Sequence, residues 1–190
     1  MTTKIRATIL TGLFLLASLT SIHAQQVQTV PTPDFPNELM LWVDSSNTLV
    51  SVPVEKGEKK EEASAYLNVV FGVLKTPNSP LRLSSGKSYL IVFKHSPLYL
   101  SSPNPKDVYK LIKFKIDEKK KYRSCTIRYT SVTEKASKKG QAYLDKTIDV
   151  VFKKLYDDVY SITLDNLEQG EYVFPISEYK MFTFGVDYIR

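Results

Sequence analysis

The acidic residues that could do chemistry are an adjacent pair, Asp157 and Asp158, and a separated pair, Glu171 and Asp187. Two carboxyl groups that face each other across a cleft at about 5–10 Å can act as the acid and base of a glycosidase. Asp157 and Asp158 form a turn signal, where Asp is favoured for its local hydrogen bonds and neighbouring side chains point apart. Glu171 and Asp187 fall on strands that face each other, and a structural role is the favoured interpretation of this pair as well.

Histidine and cysteine are too scarce for several other chemistries. Beyond His23 near the N-terminus, the sequence holds one histidine, His95, and one cysteine, Cys125. They cannot build a zinc site with several His or Cys ligands, and an intramolecular disulfide is impossible. A Ser-His-Asp set using His95 is formally possible, but no G-x-S-x-G elbow accompanies it. No Gly-rich phosphate loop or cofactor motif occurs either, so we expect no cofactor and no metal.

A lysine-rich stretch, KFKIDEKKKYR at 113–123, is the candidate for binding an anion. Basic residues outnumber acidic ones between 106 and 123, so this segment could hold an anionic glycan or a lipid headgroup with an affinity that depends on salt. The favoured interpretation is a charged hairpin tip that stays hydrated and discourages edge pairing. The candidate binding residues are Lys119, Lys120, Lys121, Tyr122 and Arg123.

Alternating apolar and polar residues place this stretch on two strands. Ile112, Phe114 and Ile116 occupy one face of a period-two pattern, while Lys113 and Lys115 occupy the other. The strand that follows alternates in the same way over residues 124–129, and its cysteine faces inward as a small core residue. The lysines at 119–121 therefore fall at the connection between the two strands.

The rest of the chain repeats this plan of short strands joined by turn signals. LMLWVD and TLVSVPV flank a turn, PLRLSSGKSYLIVFK contains two strands joined by a Ser-Ser-Gly turn, and TIDVVFKKL and VYSITL flank Asp157 and Asp158. In a closing hairpin, Tyr172 and Phe174 share one face of the first strand, and the aromatic residues of the second strand share one face of that strand. We predict a single all-β domain, an antiparallel β-sandwich or partly open barrel of roughly ten strands.

Three segments are expected to depart from plain strands. EKGEKKEE, residues 55–62, predicts a solvated loop because its mixed charge has no apolar period. Gly72 is a candidate for a β-bulge within the strand AYLNVVFGVLK. TEKASKKGQAYLDK, residues 133–146, is where the sequence supports a short helix.

The N-terminus predicts export. Lys4 and Arg6 precede an apolar run that ends at Leu19, and small Ala24 follows a short polar stretch, which is the plan of a cleavable signal peptide at residues 1–24. Residues 25–38 are rich in Pro and Gln and predict an extended linker, with the β domain at 39–190. No second membrane segment is expected, and we predict a periplasmic or secreted protein of about +4 net charge.

The C-terminal segment carries a family resemblance. Leu167, GEYVF at 170–174 and FGVD at 184–187 are similar to the closing segment of a family of uncharacterised bacterial secreted all-β proteins, a domain of unknown function. Upstream, SPLRLSSGKSYLIVF and DVYKLIKFKIDEKKKYRS also resemble that family, so the resemblance spans Val54 to Asp187. It implies a secreted all-β domain and transfers no catalytic or binding residues.

These observations favour an exported, non-catalytic binding or structural module of the cell envelope over an enzyme. Its partner would be an envelope protein or a glycan, and no nucleic acid is expected. Aromatic residues provide contact area at binding surfaces, and an exposed patch including Tyr99, Tyr109 and Tyr122 would support this function. The alternatives are a carboxylate-dependent hydrolase acting on glycans and a polyanion-binding protein that uses residues 106–123.

Overall fold

The computed structural model describes residues 29–97, 103–131, 133, 147–177 and 179–188. Within these residues the chain forms fifteen strands, one short α-helix and one 3-10 turn. The strands make three open sheets, and all but one of the strand pairs are antiparallel. The arrangement is an all-β sandwich without a closed barrel, so the predicted fold class is confirmed.

The strands are short and follow one another closely along the chain. In chain order they are β1 Met40–Val43, β2 Thr48–Ser51, β3 Val54–Glu55, β4 Glu58–Ala63, β5 Leu67–Leu74, β6 Arg82–Ser84, β7 Tyr89–Lys94, β8 Leu111–Lys113, β9 Lys115–Asp117, β10 Tyr122–Ser131, β11 Thr147–Ile148, β12 Val151–Tyr156, β13 Val159–Leu164, β14 Gly170–Pro175 and β15 Met181–Asp187. The helix α1, Pro105–Val108, begins after Asn104, whose side chain accepts a hydrogen bond from the Lys106 N–H.

The first sheet has the strand order β12-β13-β7-β1-β2. Leu41, Ile91 and Ile162 lie opposite one another on its inner face and are buried in the main hydrophobic core. The predicted turn between β1 and β2 is confirmed: a 3-10 turn spans Asp44–Ser46, and Asn47 closes it with a φ of 48°. Asn tolerates this left-handed conformation because its short polar side chain bonds locally.

The third sheet, with the order β11-β8-β14-β15-β3, packs its aromatic residues against the same core. The predicted aromatic hairpin is confirmed as β14 and β15, where Tyr172 stacks on Phe184 with 5.4 Å between ring centroids. Off this path, β6 pairs with β15 in parallel. Since β7 belongs to the first sheet, the turn at residues 85–88 connects two different sheets.

The second sheet, β4-β5-β10-β9, contains one correction to the predicted elements. The solvated loop predicted at residues 55–62 is wrong from residue 58 onward, because residues 58–63 form the edge strand β4 paired with β5. The loop was predicted because these residues have no apolar period, and every residue of β4 is in fact exposed. Main-chain pairing makes the strand, and its alternating Lys59–Glu61 and Lys60–Glu62 ion pairs keep the edge charged.

A second correction concerns the predicted continuous strand across Ile112 and Ile116. The chain passes from the third sheet to the second at Phe114, whose backbone N–H donates to the Glu171 carbonyl at 2.8 Å. Ile112 and Phe114 are buried as predicted, but Ile116 is 47% exposed because β9 is a short edge strand.

The β-bulge predicted at Gly72 is wrong. Gly72 pairs regularly with Cys125, and the register shift between β5 and β10 lies on β10 between Thr126 and Arg128.

Residues 29–38, assigned by sequence to the linker, contact the β domain. Pro33 is buried, the Tyr156 hydroxyl donates to the Val30 carbonyl at 2.8 Å, and the Asn37 N–H donates to the Lys94 carbonyl at 2.7 Å. The predicted signal peptide at residues 1–24 lies outside the described residues. So does the predicted helix at residues 133–146, apart from Thr133.

Candidate functional site

One guanidinium holds both members of the separated carboxylate pair. Arg82 extends from β6 across Gly185, donating from Nε to Asp187 Oδ2 at 2.9 Å and from Nη1 to Glu171 Oε1. Gly185 is required beneath it, because a Cβ at that position would overlap the Arg82 guanidinium. The strands bring Glu171 and Asp187 together as the sequence predicts, but as the two ends of an ion-pair bridge.

The electrostatics of this bridge oppose a role for Asp187 as a general acid. The hydrogen bond from Arg82 lowers the pKa of Asp187 from its ordinary value of 3.8, and hydrogen bonds to Asp187 and Glu171 raise the pKa of Arg82. The general acid of a glycosidase needs a raised pKa so that it carries a proton at neutral pH. The geometry therefore supports the structural interpretation of this pair and does not support a hydrolase.

The same bridge continues inward to Arg123, which is fully buried. Its guanidinium donates to Glu171 Oε2 at 3.1 Å and to Glu55 Oε2 at 2.7 Å, and it also bonds Thr76 and Ser79. Because these internal partners occupy the side chain, Arg123 is not available to an external anion. This separates Arg123 from the other candidate residues of the lysine-rich stretch.

The remaining candidates lie at the predicted hairpin tip. Lys119, Lys120 and Lys121 are exposed in the turn between β9 and β10, and Tyr122 is half-buried at the start of β10. Asp117 accepts a hydrogen bond from the Lys120 N–H at 3.0 Å, and the Lys120 ammonium lies 5.9 Å from the Tyr122 ring centroid. Asp117 thus shapes the turn and offsets part of its positive charge.

The other chemically suggestive residues have structural environments. Asp157 and Asp158 form the turn between β12 and β13, and Asp158 lies 3.7 Å from the Lys94 ammonium. His95 is buried with Nε2 3.1 Å from the Pro103 carbonyl, while its Nδ1 has no hydrogen-bond partner among the residues that the structure describes. A catalytic histidine needs a carboxylate to orient that nitrogen, so His95 does not fit a triad. Cys125 is buried, and the described residues contain no His, Cys, Asp and Glu group fit to hold a metal ion.

The residue that the sequence reasoning missed is Trp42, the single tryptophan of the chain. Leu41 faces the core, so the alternation of β1 turns Trp42 toward the opposite face of the first sheet. Trp42 is partly exposed and lines a groove of 660 Å³ at the end of the first sheet where β1 and β13 end and β7 begins, and its Nε1 donates to Asn47 Oδ1 at 3.1 Å. This bond fixes the ring, so the aromatic surface is presented in one orientation.

Polar and apolar side chains line the groove beside Trp42. The polar members and Tyr89 are Asp44, Ser45, Lys87, Ser88, Tyr89 and Thr163, and the aliphatic members are Leu41, Val43 and Leu90. One acidic and one basic side chain balance each other, and the hydroxyl groups of Ser45, Ser88 and Thr163 supply both donors and acceptors. The fourth hydroxyl, on Tyr89, already bonds the Ser84 backbone. We call this surface the Trp42 groove. Its volume is within the range of small-molecule sites, and its lining suits a neutral ligand with one apolar face and a hydrogen-bonding rim.

A composition signal for the Trp42 groove exists in the sequence. A single tryptophan two residues before a polar turn, Asp44 to Asn47, is an amphipathic ring at a strand end. By contrast, the exposed tyrosine patch that the sequence suggested is not formed as expected. Tyr109 is fully buried, Tyr122 is half-buried, and Tyr99 lies outside the described residues.

No protein-family model, curated protein or solved structure matches the chain. The resemblance to secreted all-β proteins at residues 54–187 therefore stays a prediction. In the described part of the chain, no helix has the length and apolar character needed to cross a membrane.

Proposed function

We propose that the protein is an exported, non-catalytic binding module of the cell envelope that holds a neutral saccharide in the Trp42 groove. The lining of that groove carries the proposal. A pyranose ring has an apolar C–H face and a rim of hydroxyl groups, and the groove offers a fixed indole beside hydroxyl, carboxylate and ammonium groups.

The charge pattern of the Trp42 groove supports a neutral ligand over a charged one. Lys87 is its basic residue and Asp44 its acidic residue, so the lining has no excess of either sign. An anionic ligand would be met by more than one cation or by an array of backbone N–H groups. The N-terminal signal pattern supports the envelope location, since a saccharide-binding module there meets the glycans of the cell surface.

Because the sequence has one tryptophan, its emission reports directly on the groove. The test titrates the purified full chain with neutral homo-oligosaccharides of glucose, mannose and N-acetylglucosamine while Trp42 fluorescence is recorded. We expect a saturable change with at least one sugar. The variant Lys87→Gln should weaken that binding, while Lys121→Gln, an exposed lysine at the hairpin tip, should leave it unchanged.

Two results would overturn the proposal. One is the absence of any saturable change with every sugar, confirmed by calorimetry so that a silent fluorescence response is not mistaken for no binding. The other is binding that Trp42→Ala leaves intact, provided that circular dichroism shows the variant to be folded.

The hairpin tip favours a second candidate function, binding of a polyanion. Lys119 and Lys121 are exposed, and neither makes an ion pair within the described residues. Binding of a sulfated glycan would fall steeply as salt rises and would be lost when Lys119, Lys120 and Lys121 are all changed to Ala. Equal binding by this variant and the natural chain would eliminate the hairpin tip as a site.

A further inference from the structure

A second groove lies on the other side of the turn at residues 85–88. It has a volume of 510 Å³ and is lined by Ser85, Gly86, Asn166, Leu167, Glu168, Gln169 and Tyr188. Tyr188 is 68% exposed, so much of the residue is open to a ligand. We call this surface the Tyr188 groove. Like the Trp42 groove, it combines an aromatic ring with hydroxyl and carboxylate groups, and it adds the side-chain amides of Asn166 and Gln169.

The two grooves are neighbours because they share two chain segments. Ser85 and Gly86 line the Tyr188 groove, while the next residues, Lys87 and Ser88, line the Trp42 groove. Consecutive Cα atoms are about 3.8 Å apart, so the turn is a ridge only one chain thick. The second shared segment runs from Thr163, in the Trp42 groove, to residues 166–169 in the Tyr188 groove.

The ridge is anchored on both sides. On the Trp42 side, the Ser84 N–H donates to the Tyr89 hydroxyl at 2.8 Å. On the Tyr188 side, the Ser85 N–H donates to the Asp187 carbonyl at 2.7 Å, directly before Tyr188. Asp187 is itself held by Arg82. These bonds hold both grooves in a fixed relation, which lowers the entropic cost of binding one ligand across them.

The crest of the ridge is open. Gly86 is exposed with a φ of +71°, and no atom lies within 4 Å of the position that a Cβ would take there. A ligand can therefore cross at Gly86 without displacing a side chain. Glycine is suited to this position both because the left-handed conformation costs it nothing and because it adds no bulk to the crest.

We infer that the two grooves are subsites for one neutral oligosaccharide chain, which crosses the ridge at Gly86 with sugar rings beside Trp42 and Tyr188. This inference rests on the proposed saccharide function of the Trp42 groove and adds the length of the ligand. A short oligosaccharide fills one subsite, while a longer one fills both. Affinity should consequently rise with chain length, because the second subsite is reached without a second loss of translational freedom.

The experiment compares a disaccharide and a hexasaccharide of the sugar that changes Trp42 emission, using the full chain. We expect the hexasaccharide to bind at least about tenfold more tightly, which corresponds to ~1.4 kcal/mol. Tyr188→Ala should remove most of this advantage and leave disaccharide binding unchanged. Tyr179→Ala is the matched control, since Tyr179 is 55% exposed and lines neither groove.

A second variant tests the path over the ridge. Asn accepts the left-handed backbone of Gly86, so Gly86→Asn adds a side chain at the crest with little strain. It should weaken the hexasaccharide and spare the disaccharide. Equal affinities for the two lengths, or a length advantage that both Tyr188→Ala and Gly86→Asn leave intact, would overturn the two-subsite inference while the Trp42 proposal stands. If no sugar binds at all, the proposed function fails first, and the two failures are thereby distinguished.

Discussion

Replacing Arg123 with methionine should destabilise the fold strongly, because the guanidinium links strands of two sheets. Arg123 belongs to β10 in the second sheet, while its carboxylate partners Glu55 and Glu171 belong to the third. Thr76 supplies two more acceptors, its carbonyl at 2.8 Å and its hydroxyl at 2.8 Å. The side chain also lies over Phe114, with 5.1 Å from Cζ to the ring centroid.

The size of the loss in unfolding free energy depends on which hydrogen-bond partners the two carboxylates keep when the guanidinium is removed. Breaking a buried ion pair by removing one partner costs about 3–5 kcal/mol. Glu171 keeps Arg82 and the Ser79 N–H, and Glu55 keeps the hydroxyls of Thr76 and Thr183. Neither carboxylate is left bare, so we expect the lower end of the range, about 3 kcal/mol. A domain is stable by only about 5–15 kcal/mol, so this loss is readily measured.

Urea unfolding followed by circular dichroism and by Trp42 emission measures the effect. Arg123→Lys should recover little, because an ammonium is a point donor that cannot reproduce the planar fork between Glu55 and Glu171. Lys119→Met, at an exposed position in the turn before the same strand, is the control and should change stability by no more than about 0.5 kcal/mol. A loss below about 1 kcal/mol for Arg123→Met, with an unchanged m-value, would refute the reasoning.

Gly72→Ala should destabilise the protein by about 1–3 kcal/mol in the same urea assay, because its Cβ would overlap Met181 Cε in a closely packed cluster. A neutral result would show that Met181 has room to move. Asp187→Asn should be less stable than the natural chain at neutral pH, and the difference should shrink as pH falls below 3.8. The sign follows because Arg82 lowers the folded-state pKa of Asp187, so its stabilisation is present above the unfolded pKa and is lost as the carboxylate is protonated. A difference that does not change with pH would contradict this account.

Some features of the fold could be predicted from local sequence because they depend on which face a residue occupies. The period-two pattern placed Cys125, Phe174 and Phe184 inward, and they are buried. Turn residues in the sequence correctly predicted where the β1–β2 and β12–β13 connections lie. Alternation carries no information on sheet membership, however, so the passage from β8 to β9 at Phe114 was missed. The strand β4 was missed because its pairing with β5 uses the main chain, which every residue supplies.

The sequence by itself determined that this is an all-β chain poor in histidine and cysteine, with one tryptophan and an export signal pattern. Those properties follow from residue types and their local periodicity. Only the tertiary structure decided that Arg123 is buried while the adjacent lysines are exposed, and that the Trp42 and Tyr188 grooves are both lined by the turn at residues 85–88. Trp42 and Tyr188 lie far apart in the chain, and the turn reaches both grooves because β6 joins the third sheet while β7 joins the first. Such long-range pairing is set by the packing of whole sheets, which no local pattern records.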